Sequence, residues 1–266
     1  MNFFDCVLTA VNNNPTYTQF VPNFVKCWNH LFPEIEIKII FINDEIIPEL
    51  EPYSEYITLF KPLENINTVY QAQNIRLYYP AILNKKGVLI TDIDLCPMNR
   101  NYFESPLKNN ILEDTFISYR PKGCVGNDQI AIPYNIASSK IWSCLTGVTS
   151  LEELKQILCK NYPEDYNERC PPPNSWLGKG WFQDQKVLFN LVEKSNIKMI
   201  FVGDENYNRL DRHYQSKENI TKVISDIKLG KYSDFNNLRN EYENYKELNN
   251  IVVDGLLKNS VVTSSP

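Results

Sequence analysis

The sequence predicts an α/β fold, and three observations carry that prediction. Short apolar runs alternate with segments whose apolar residues recur at helical spacing. The chain has 266 residues, enough for one large α/β domain with a substantial core. The run from Gly87 to Leu95 begins as a buried strand and ends in two carboxylates, Asp92 and Asp94, where open α/β sheets place their ligands. We expect a Rossmann-like, mixed central sheet flanked by helices, with a C-terminal helical extension.

The first part of the chain alternates between strand and helix patterns. The predicted strands cover residues 3–11, 35–42 and 87–93. The predicted helices cover residues 20–31 and 65–83, and Pro80 kinks or splits the second one. A polar loop, Asn12-Asn13-Asn14-Pro15, follows the first strand. A strand, a loop and a helix in this order open a nucleotide-binding α/β unit.

The second part of the chain is less regular. Its predicted strands cover residues 115–119, 129–133 and 197–202, and its predicted helices cover 138–144, 151–160, 182–193 and 235–248. Residues 170–181 are rich in proline and glycine, which excludes a regular element and is typical of a functional loop. Residues 260–266 are predicted to be a frayed tail.

Composition excludes several classes of protein. The chain has 27 basic and 32 acidic residues and a net charge of −5, without a basic block, so general nucleic-acid binding is not expected. Its seven cysteines form no Cys-x-x-Cys pair, which favours reduced, mostly buried thiols of a cytoplasmic protein and argues against zinc. The amino terminus lacks the basic and apolar regions of a signal peptide, and no apolar run approaches the roughly 20 residues of a transmembrane segment, so we expect neither and leave peripheral membrane attachment as the open alternative.

The acidic pair predicts metal and phosphate chemistry. In an extended segment Asp92 and Asp94 would point to the same side, because side chains alternate along a strand. Two carboxylates on one face can hold Mn²⁺ or Mg²⁺, which complete their shells with phosphate oxygens. A bound cation would neutralise the charge on a departing diphosphate. This chemistry suits transfer from a nucleotide-activated donor.

The central segment resembles the GT-A glycosyltransferases, whose hallmark is an Asp-x-Asp at a strand end, preceded by a helix with an arginine. The matching residues are 71–83, with Arg76, followed by 87–94. The resemblance implies that Asp92 contacts the ribose or a metal-bound water, that Asp94 binds the metal, and that Arg76 lies near the donor. It also implies donor contacts from Ile93 and, in the first strand and its loop, from Thr9, Ala10, Val11 and Tyr17.

Two later segments extend the resemblance. Residues 180–188 resemble a helix opening that offers a carboxylate and an amide, here Asp184 and Gln185, to donor sugar and acceptor. Residues 209–213 follow the last predicted core strand, where many GT-A enzymes supply a third metal ligand, here His213. The His-x-x-Gly-x-x-Lys-Pro-Trp setting of the retaining galactosyltransferases and glycogenin-like enzymes is absent. Arg212 would supply positive charge for a diphosphate, and Trp176 and Trp181 would stack on the acceptor sugar.

The resemblance suggests a division of the single domain. Residues 1–97 would be the nucleotide-binding half, 98–215 the acceptor-binding half, 216–259 the helical extension and 260–266 a flexible tail.

Each candidate residue also has a structural interpretation. The acidic pair could be a solvated turn, and Asp184 could stabilise the first turn of its helix. Arg76 could be an exposed residue or half of an ion pair, and His213 a half-buried histidine bonded to a carbonyl. Arg209 and Arg212 could pair only with Asp211. The two tryptophans could anchor their loop.

The sequence therefore predicts a metal-dependent glycosyltransferase that moves a sugar from a nucleoside-diphosphate sugar, with a UDP-sugar favoured, to a glycan or other hydroxyl acceptor. Inverting and retaining mechanisms stay equally open, with Asp184 as general base in the first and as donor-orienting group in the second. One alternative is a haloacid-dehalogenase-type phosphatase, but that class carries its Asp-x-Asp on the first strand. A sugar nucleotidyltransferase would need a glycine-rich basic loop after that strand. A non-catalytic nucleotide- or sugar-binding scaffold is the third alternative.

Overall fold

The structure is a computed structural model of the chain, and it describes residues 3–108, 112–120, 128–166, 180–203, 205, 207–211, 217–239 and 244–258. The strands are β1 (Cys6–Asn12), β2 (Glu36–Ile42), β3 (Ile57–Phe60), β4 (Val88–Ile90), β5 (Leu95–Pro97), β6 (Thr115–Ser118), β7 (Asn135–Ala137), β8 (Lys198–Phe201), β9 (Arg209–Leu210) and β10 (Asp234–Asn236). The helices are α1 (Pro15–Thr18), α2 (Val21–Leu31), α3 (Thr68–Tyr78), α4 (Arg100–Glu104), α5 (Ser139–Thr146), α6 (Leu151–Lys160), α7 (Gln183–Glu193), α8 (Lys217–Lys228) and α9 (Tyr245–Leu257).

A seven-stranded sheet in the order β3-β2-β1-β4-β7-β6-β8 forms the centre of the fold. Strands β3, β2, β1 and β4 are parallel, β7 runs antiparallel to β4 and β6, and β8 is parallel to β6. The predicted mixed α/β sheet is therefore confirmed. The chain leaves β1 towards β2 on one side and reaches β4 on the other, so a crevice forms at their carboxyl ends.

The two faces of this sheet are buried by different helices. On one face, alternate residues of β1 such as Val7 and Val11 pack in one apolar cluster with Phe24 and Trp28 of α2. On the other face, residues such as Leu8 share a cluster with α3, α5, α6 and α7. Because both faces are covered, the strands read as nearly continuous apolar runs, which is why β1 and β2 were visible in the sequence.

The predicted helix over 65–83 is confirmed, including its interruption. Asn67 caps α3 by accepting a hydrogen bond from the backbone N–H of Val69 at 2.8 Å. The α-helix ends at Tyr78, and a 3-10 helix covers Tyr79–Ile82 with Pro80 near its start. Proline lacks a backbone N–H and cannot continue an α-helix, so the chain tightens before it enters β4.

A smaller sheet, in the order β5-β10-β9, joins the C-terminal extension to the core. Strand β10 runs antiparallel to β5 and parallel to β9. Phe235 on β10 packs in a third apolar cluster with Cys27 of α2 and Val252 of α9. The extension is helical, as predicted, in α8 and α9, but the two helices are joined by this strand.

The predicted helix over 235–248 is wrong. Residues 234–236 form β10, and helix α9 begins only at Tyr245. The backbone of β10 pairs with β5, about 140 residues earlier in the chain. Pairing with a distant strand overrides the local helical pattern of a charged segment.

The predicted strand over 129–133 is also wrong. Ile130, Ala131 and Ile132 are buried, but the carbonyls of Ala131 and Ile132 accept hydrogen bonds from the side-chain amide of Asn135, both at 2.7 Å. Tyr134 has a φ of +65°, a left-handed backbone that turns the chain. The apolar pattern here marks a buried loop, and the strand begins at Asn135.

The described cysteines are all free thiols. Cys6, Cys27 and Cys96 are buried, whereas Cys144 and Cys159 are exposed. Cys124 and Cys170 lie outside the described residues. Among the described helices, none is long and apolar enough to cross a membrane.

Gly87 is expected to be a position where even one methyl group destabilises the fold. A Cβ atom there would lie 2.8 Å from the Cβ and 3.0 Å from the Cα of Phe4, and 2.6 Å from Cδ1 of Leu112. Gly87→Ala should lower the unfolding free energy by about 1–3 kcal/mol in urea denaturation. Gly203→Ala is the matched control, because among the described residues its Cβ would meet only Cγ of Glu205, at 4.0 Å. Equal effects of the two substitutions would contradict the steric argument.

Candidate active site

One cavity lies in the crevice at the carboxyl ends of β1 and β4. Residues from seven parts of the chain line it: the end of β1, helix α1, helix α3, the turn after β4, the loop before β7, the start of α7 and the segment around β9 and β10. The predicted site residues on its wall are Ala10, Val11, Tyr17, Arg76, Asp92, Ile93, Asp94, Trp181, Asp184 and Gln185. Thr9 lies one residue deeper in β1, fully buried and away from the cavity wall. Trp176, Arg212 and His213 lie outside the described residues.

The two carboxylates after β4 reach this cavity by a turn. Strand β4 ends at Ile90, and the backbone N–H of Leu95 donates to the carbonyl of Asp92 at 3.2 Å. The prediction that Asp92 and Asp94 share a face of an extended segment is therefore wrong. A four-residue turn connects β4 to β5 and presents both side chains to the cavity.

Arg76 joins two of the acidic side chains. Its Nη2 donates to Oδ2 of Asp184 at 2.8 Å, and its Nη1 donates to Oδ1 of Asp92 and to the carbonyl of Thr91. The side chain of Arg76 is 8% exposed and that of Asp184 is 3% exposed. The interpretation of Arg76 as an exposed helix residue is therefore wrong. This arginine is a buried counter-ion on the cavity wall, and one of its partners, Asp184, lies 108 positions away in the chain.

The burial of Asp184 beside Arg76 and Asp92 changes its pKa. Burial raises the pKa of Asp184 to about 6; Arg76 opposes this rise, and the negative charge of Asp92 adds to it. Burial alone would lower the pKa of Arg76, but the charges of Asp92 and Asp184 raise it, so the arginine stays charged. Asp184 is therefore a carboxylate that titrates close to neutral pH.

We expect Asp184 to make the stability of the fold pH-dependent. Its pKa is about 6 in the folded chain and about 4 in an unfolded one, so between these values the folded state holds the extra proton. The unfolding free energy should therefore fall by up to ~3 kcal/mol as the pH rises from about 4 to about 6. Denaturation of the wild type and Asp184→Asn across this range isolates the effect. A constant difference between the two curves would contradict it.

Gln185 follows Asp184 at the start of α7. Its backbone N–H donates to Oδ1 of Asp184 at 2.8 Å, and its carbonyl accepts from the backbone N–H of Ile130 at 3.2 Å. Its side-chain Oε1 is buried and has no hydrogen-bond partner among the described residues. A buried acceptor without a partner costs free energy, so this oxygen is suited to a ligand hydroxyl.

Arg239 is a cavity residue that the sequence did not reveal. It follows β10, and its Nη2 donates to Oδ2 of Asp94 at 3.0 Å. Its guanidinium carbon lies 5.5 Å from the ring centre of Tyr17 and 5.9 Å from that of Trp181. The sequence around it is mostly polar, Ser233-Asp-Phe-Asn-Asn-Leu-Arg239, and lies where the local pattern predicts a helix, so nothing there marks Arg239 as a site residue. Tertiary pairing of β10 with β5 brings it to the cavity.

Arg209 also lines the cavity, but it forms an ion pair with a carboxylate outside the cavity, Asp234. Its Nη2 donates to Oδ2 of Asp234 at 2.9 Å, and its Nε lies 3.2 Å from the same oxygen. Asp234 is fully buried and also accepts hydrogen bonds from the hydroxyls of Tyr134 and Tyr207. The prediction that Arg209 pairs with Asp211 alone is wrong, and the residue fixes β9 to β10.

The residues at this cavity fit part of a divalent cation site. Asp92 and Asp94 supply hard oxygen ligands, and diphosphate oxygens can complete such a shell. Within the described ranges, no cluster of three or more histidine, cysteine or acidic side chains is arranged to hold a metal. The predicted third ligand, His213, lies outside those ranges.

Comparison with solved structures identifies the fold. The chain is similar to the apo form of the glycosyltransferase GlyE from Streptococcus pneumoniae TIGR4, with a TM-score of 0.52 and 15% identity, over 97% of this chain and 63% of that one. A second GlyE structure gives a TM-score of 0.51 and 14% identity over the same shares. The chain therefore spans less than two thirds of the length of GlyE. No protein-family profile and no curated protein sequence matches it. The chain has a GT-A-like glycosyltransferase fold.

Proposed function

We propose that this chain is a metal-dependent glycosyltransferase that moves a sugar from a nucleoside-diphosphate sugar, with UDP-sugars favoured, to a glycan or other hydroxyl acceptor. One observation carries the proposal. Asp92, Asp94 and Asp184 converge on one cavity at the carboxyl edge of the sheet, and Arg76 links the first of them to the third. In a GT-A-like fold this is the crevice expected to bind a ligand. Fold alone does not define activity, so the proposal rests on the site.

The nucleoside end of the donor is assigned to the end of β1. Ala10 and Val11 line the cavity at the end of β1, and Tyr17 on α1 offers an aromatic ring. A flat ring beside the end of a strand suits a nucleobase, which can stack on the ring and form hydrogen bonds with the strand backbone. Asp92, at the turn after β4, is within the same cavity and is suited to accept from ribose hydroxyls.

The diphosphate is assigned to the turn after β4. Asp92 and Asp94 would hold Mn²⁺ or Mg²⁺, and a bound cation supplies charge neutralisation for the departing diphosphate. Arg76 pairs with both Asp92 and Asp184 and so offsets the repulsion between these two carboxylates. Arg212 and His213 stay predicted contributors to this end of the site.

Asp184 is the proposed catalytic residue. Each of its oxygens already accepts one hydrogen bond, from Gln185 N–H or from Arg76, and each retains a further lone pair. In an inverting reaction that lone pair would take the proton of the acceptor hydroxyl; in a retaining reaction Asp184 and Oε1 of Gln185 would orient the donor sugar. A pKa of about 6 leaves Asp184 ionised and still basic at pH 7.

Trp181 is the proposed acceptor contact, together with Trp176. It is partly exposed at the cavity, directly before α7, and its ring can stack on the C–H face of a sugar. Trp181→Ala should raise the acceptor KM by about tenfold and should raise the KM for the donor by much less. Phe201→Ala is the control, because it removes a half-exposed ring on β8 that does not line the cavity. Trp142→Ala is unsuitable, because that ring is fully buried. An unchanged acceptor KM in Trp181→Ala would contradict the assignment.

A donor-hydrolysis assay tests the proposal and separates it from a binding scaffold. The full chain is incubated with a panel of nucleoside-diphosphate sugars, with Mn²⁺ and with a chelator, and release of the nucleoside diphosphate is followed. We expect one sugar nucleotide to be hydrolysed only with the metal, and Asp94→Asn to abolish this. Folded protein that binds a donor but never cleaves it in the presence of acceptor mixtures would favour the scaffold.

The other enzyme classes have less support. The acidic pair follows the fourth strand of the chain, whereas the phosphatase class carries it on the first. The loop between β1 and α1 is Asn13–Asn14 and contains no glycine, unlike that of a nucleotidyltransferase.

A further inference from the structure

We propose that Arg239 is an internal counter-ion of the cation site, which a divalent cation must displace from Asp94, so that cation and nucleoside diphosphate bind cooperatively. The inference rests on the proposed function, because it concerns the same cavity. Nη2 of Arg239 lies 3.0 Å from Oδ2 of Asp94, and the two side chains are only 19% and 9% exposed. A pair this buried is screened little by solvent and competes effectively with an entering cation.

Arg239 forms an ion pair with Asp94 but is not needed to hold Asp94 in position. The carbonyl of Asp94 accepts two hydrogen bonds from Asn237, from its backbone N–H at 2.9 Å and from its side-chain amide at 3.1 Å. The side chain of Asn237 is itself held by Asn23 of α2 at 2.9 Å. These bonds fix the turn that carries the carboxylate, so removal of the guanidinium should leave Asp94 in place.

Two aromatic rings flank Arg239 where it pairs with Asp94. The ring centres of Tyr17 and Trp181 lie 5.5 and 5.9 Å from the guanidinium carbon. Aromatic faces attract a guanidinium, so Arg239 can leave Asp94 and stay at the cavity. From there it can donate to the oxygens of a diphosphate, for which a guanidinium has matching geometry.

The charges at the cavity explain why the two ligands should depend on each other. Among the described residues that line the cavity, three carboxylates, Asp92, Asp94 and Asp184, face two arginines, Arg76 and Arg239, whereas Arg209 pairs with Asp234. A divalent cation alone would give the cavity a net positive charge and would take Asp94 away from Arg239. A bound diphosphate would restore the charge balance and would give both the divalent cation and Arg239 an anionic partner.

The effect of each ligand on the binding of the other must be equal, because both belong to one thermodynamic cycle. If UDP strengthens Mn²⁺ binding by some factor, Mn²⁺ strengthens UDP binding by the same factor. Arg239→Gln removes the competitor of the metal and one partner of the diphosphate. It should therefore tighten Mn²⁺ binding in the absence of nucleotide by about tenfold and reduce the cooperativity between the two ligands by a similar factor.

The test is Mn²⁺ binding at pH 7.5 to the full chain, followed by the electron paramagnetic resonance signal of free Mn²⁺, with and without UDP. The variants are Arg239→Gln, Arg239→Lys and Asp94→Asn. Lys186→Gln is the charge-matched control, because Lys186 on α7 pairs with the exposed Asp128 and does not line the cavity. Melting curves check that each variant folds.

We expect the wild type to bind Mn²⁺ weakly alone and more tightly with UDP. Arg239→Gln should bind it more tightly alone, Arg239→Lys should be intermediate because a lysine still competes, and Lys186→Gln should match the wild type. Where Arg239→Gln does not fold, the lysine variant alone decides the comparison. The counter-ion role is overturned if the Arg239 variants bind Mn²⁺ without nucleotide as the wild type does. The proposed function still stands in that case if UDP strengthens Mn²⁺ binding and Asp94→Asn abolishes the binding. No Mn²⁺ or UDP binding by any folded variant overturns both.

Discussion

Asp184→Asn is expected to lower the rate of sugar transfer by about 10²–10⁴-fold while nucleotide binding is unchanged. Asparagine preserves the shape of the side chain and can still accept a hydrogen bond from Arg76. It cannot take a proton from an acceptor hydroxyl, and it cannot stabilise a positive charge that develops on the donor sugar. The expected signature is therefore a loss in kcat, with the affinity for the nucleoside diphosphate retained. Steady-state kinetics and calorimetry measure the two quantities separately.

Asp128→Asn is the control for this prediction. Asp128 is an exposed carboxylate that pairs with Lys186 on the same helix as Asp184, and it does not line the cavity. Its loss should leave kcat and binding unchanged. If Asp184→Asn retained wild-type kcat, or lost nucleotide affinity together with rate, the assignment of Asp184 to the chemical step would be wrong.

Arg76→Met is expected to produce the largest loss of stability in the site. The substitution leaves Asp184 buried without its cation and removes a partner of Asp92. Loss of one member of a buried ion pair costs about 3–5 kcal/mol, which for a chain of this size corresponds to a melting temperature lower by about 10 °C. Without the arginine the carboxylates bind protons more readily, so the destabilisation should shrink as the pH falls from 7 to 5.

Arg100→Met supplies the comparison for this effect. Arg100 on α4 also bridges two carboxylates, Glu34 and Glu104, but its side chain is 38% exposed. Solvent screens such pairs, so the expected loss is about 1 kcal/mol or less, with little pH dependence between 5 and 7. If Arg76→Met and Arg100→Met lowered the unfolding free energy by similar amounts, burial would not explain the importance of the Arg76 ion pairs.

Much of the first half of the fold could be predicted because its signals are local. Strands β1 and β2 are buried on both faces and read as apolar runs, and α6 begins and ends where its periodicity does, at Leu151 and Lys160. The split of α3 follows from one proline. Each of these features depends on residues close together in the sequence.

The remainder depends on distant partners. Strand β10 forms because β5 and β9 lie on either side of it. Residues 234–236 carry no local pattern that predicts a strand. The same pairing brings Arg239 to Asp94, across 145 positions. The acidic pair was visible as a motif, but its geometry was not, since β4 ends at Ile90 and a turn replaces the expected extended segment. A motif identifies the residues of a site more readily than their counter-ions.

The central claim is that the cavity at the end of β1 and β4 binds a nucleoside diphosphate together with a divalent cation. The most direct test is calorimetry of the folded chain with a panel of nucleoside diphosphates, with and without Mn²⁺, on the wild type and Asp94→Ala. The account predicts that one diphosphate binds in a metal-dependent manner and that Asp94→Ala abolishes this binding. Absence of binding by every nucleotide, to protein whose melting curve shows that it is folded, would contradict the account.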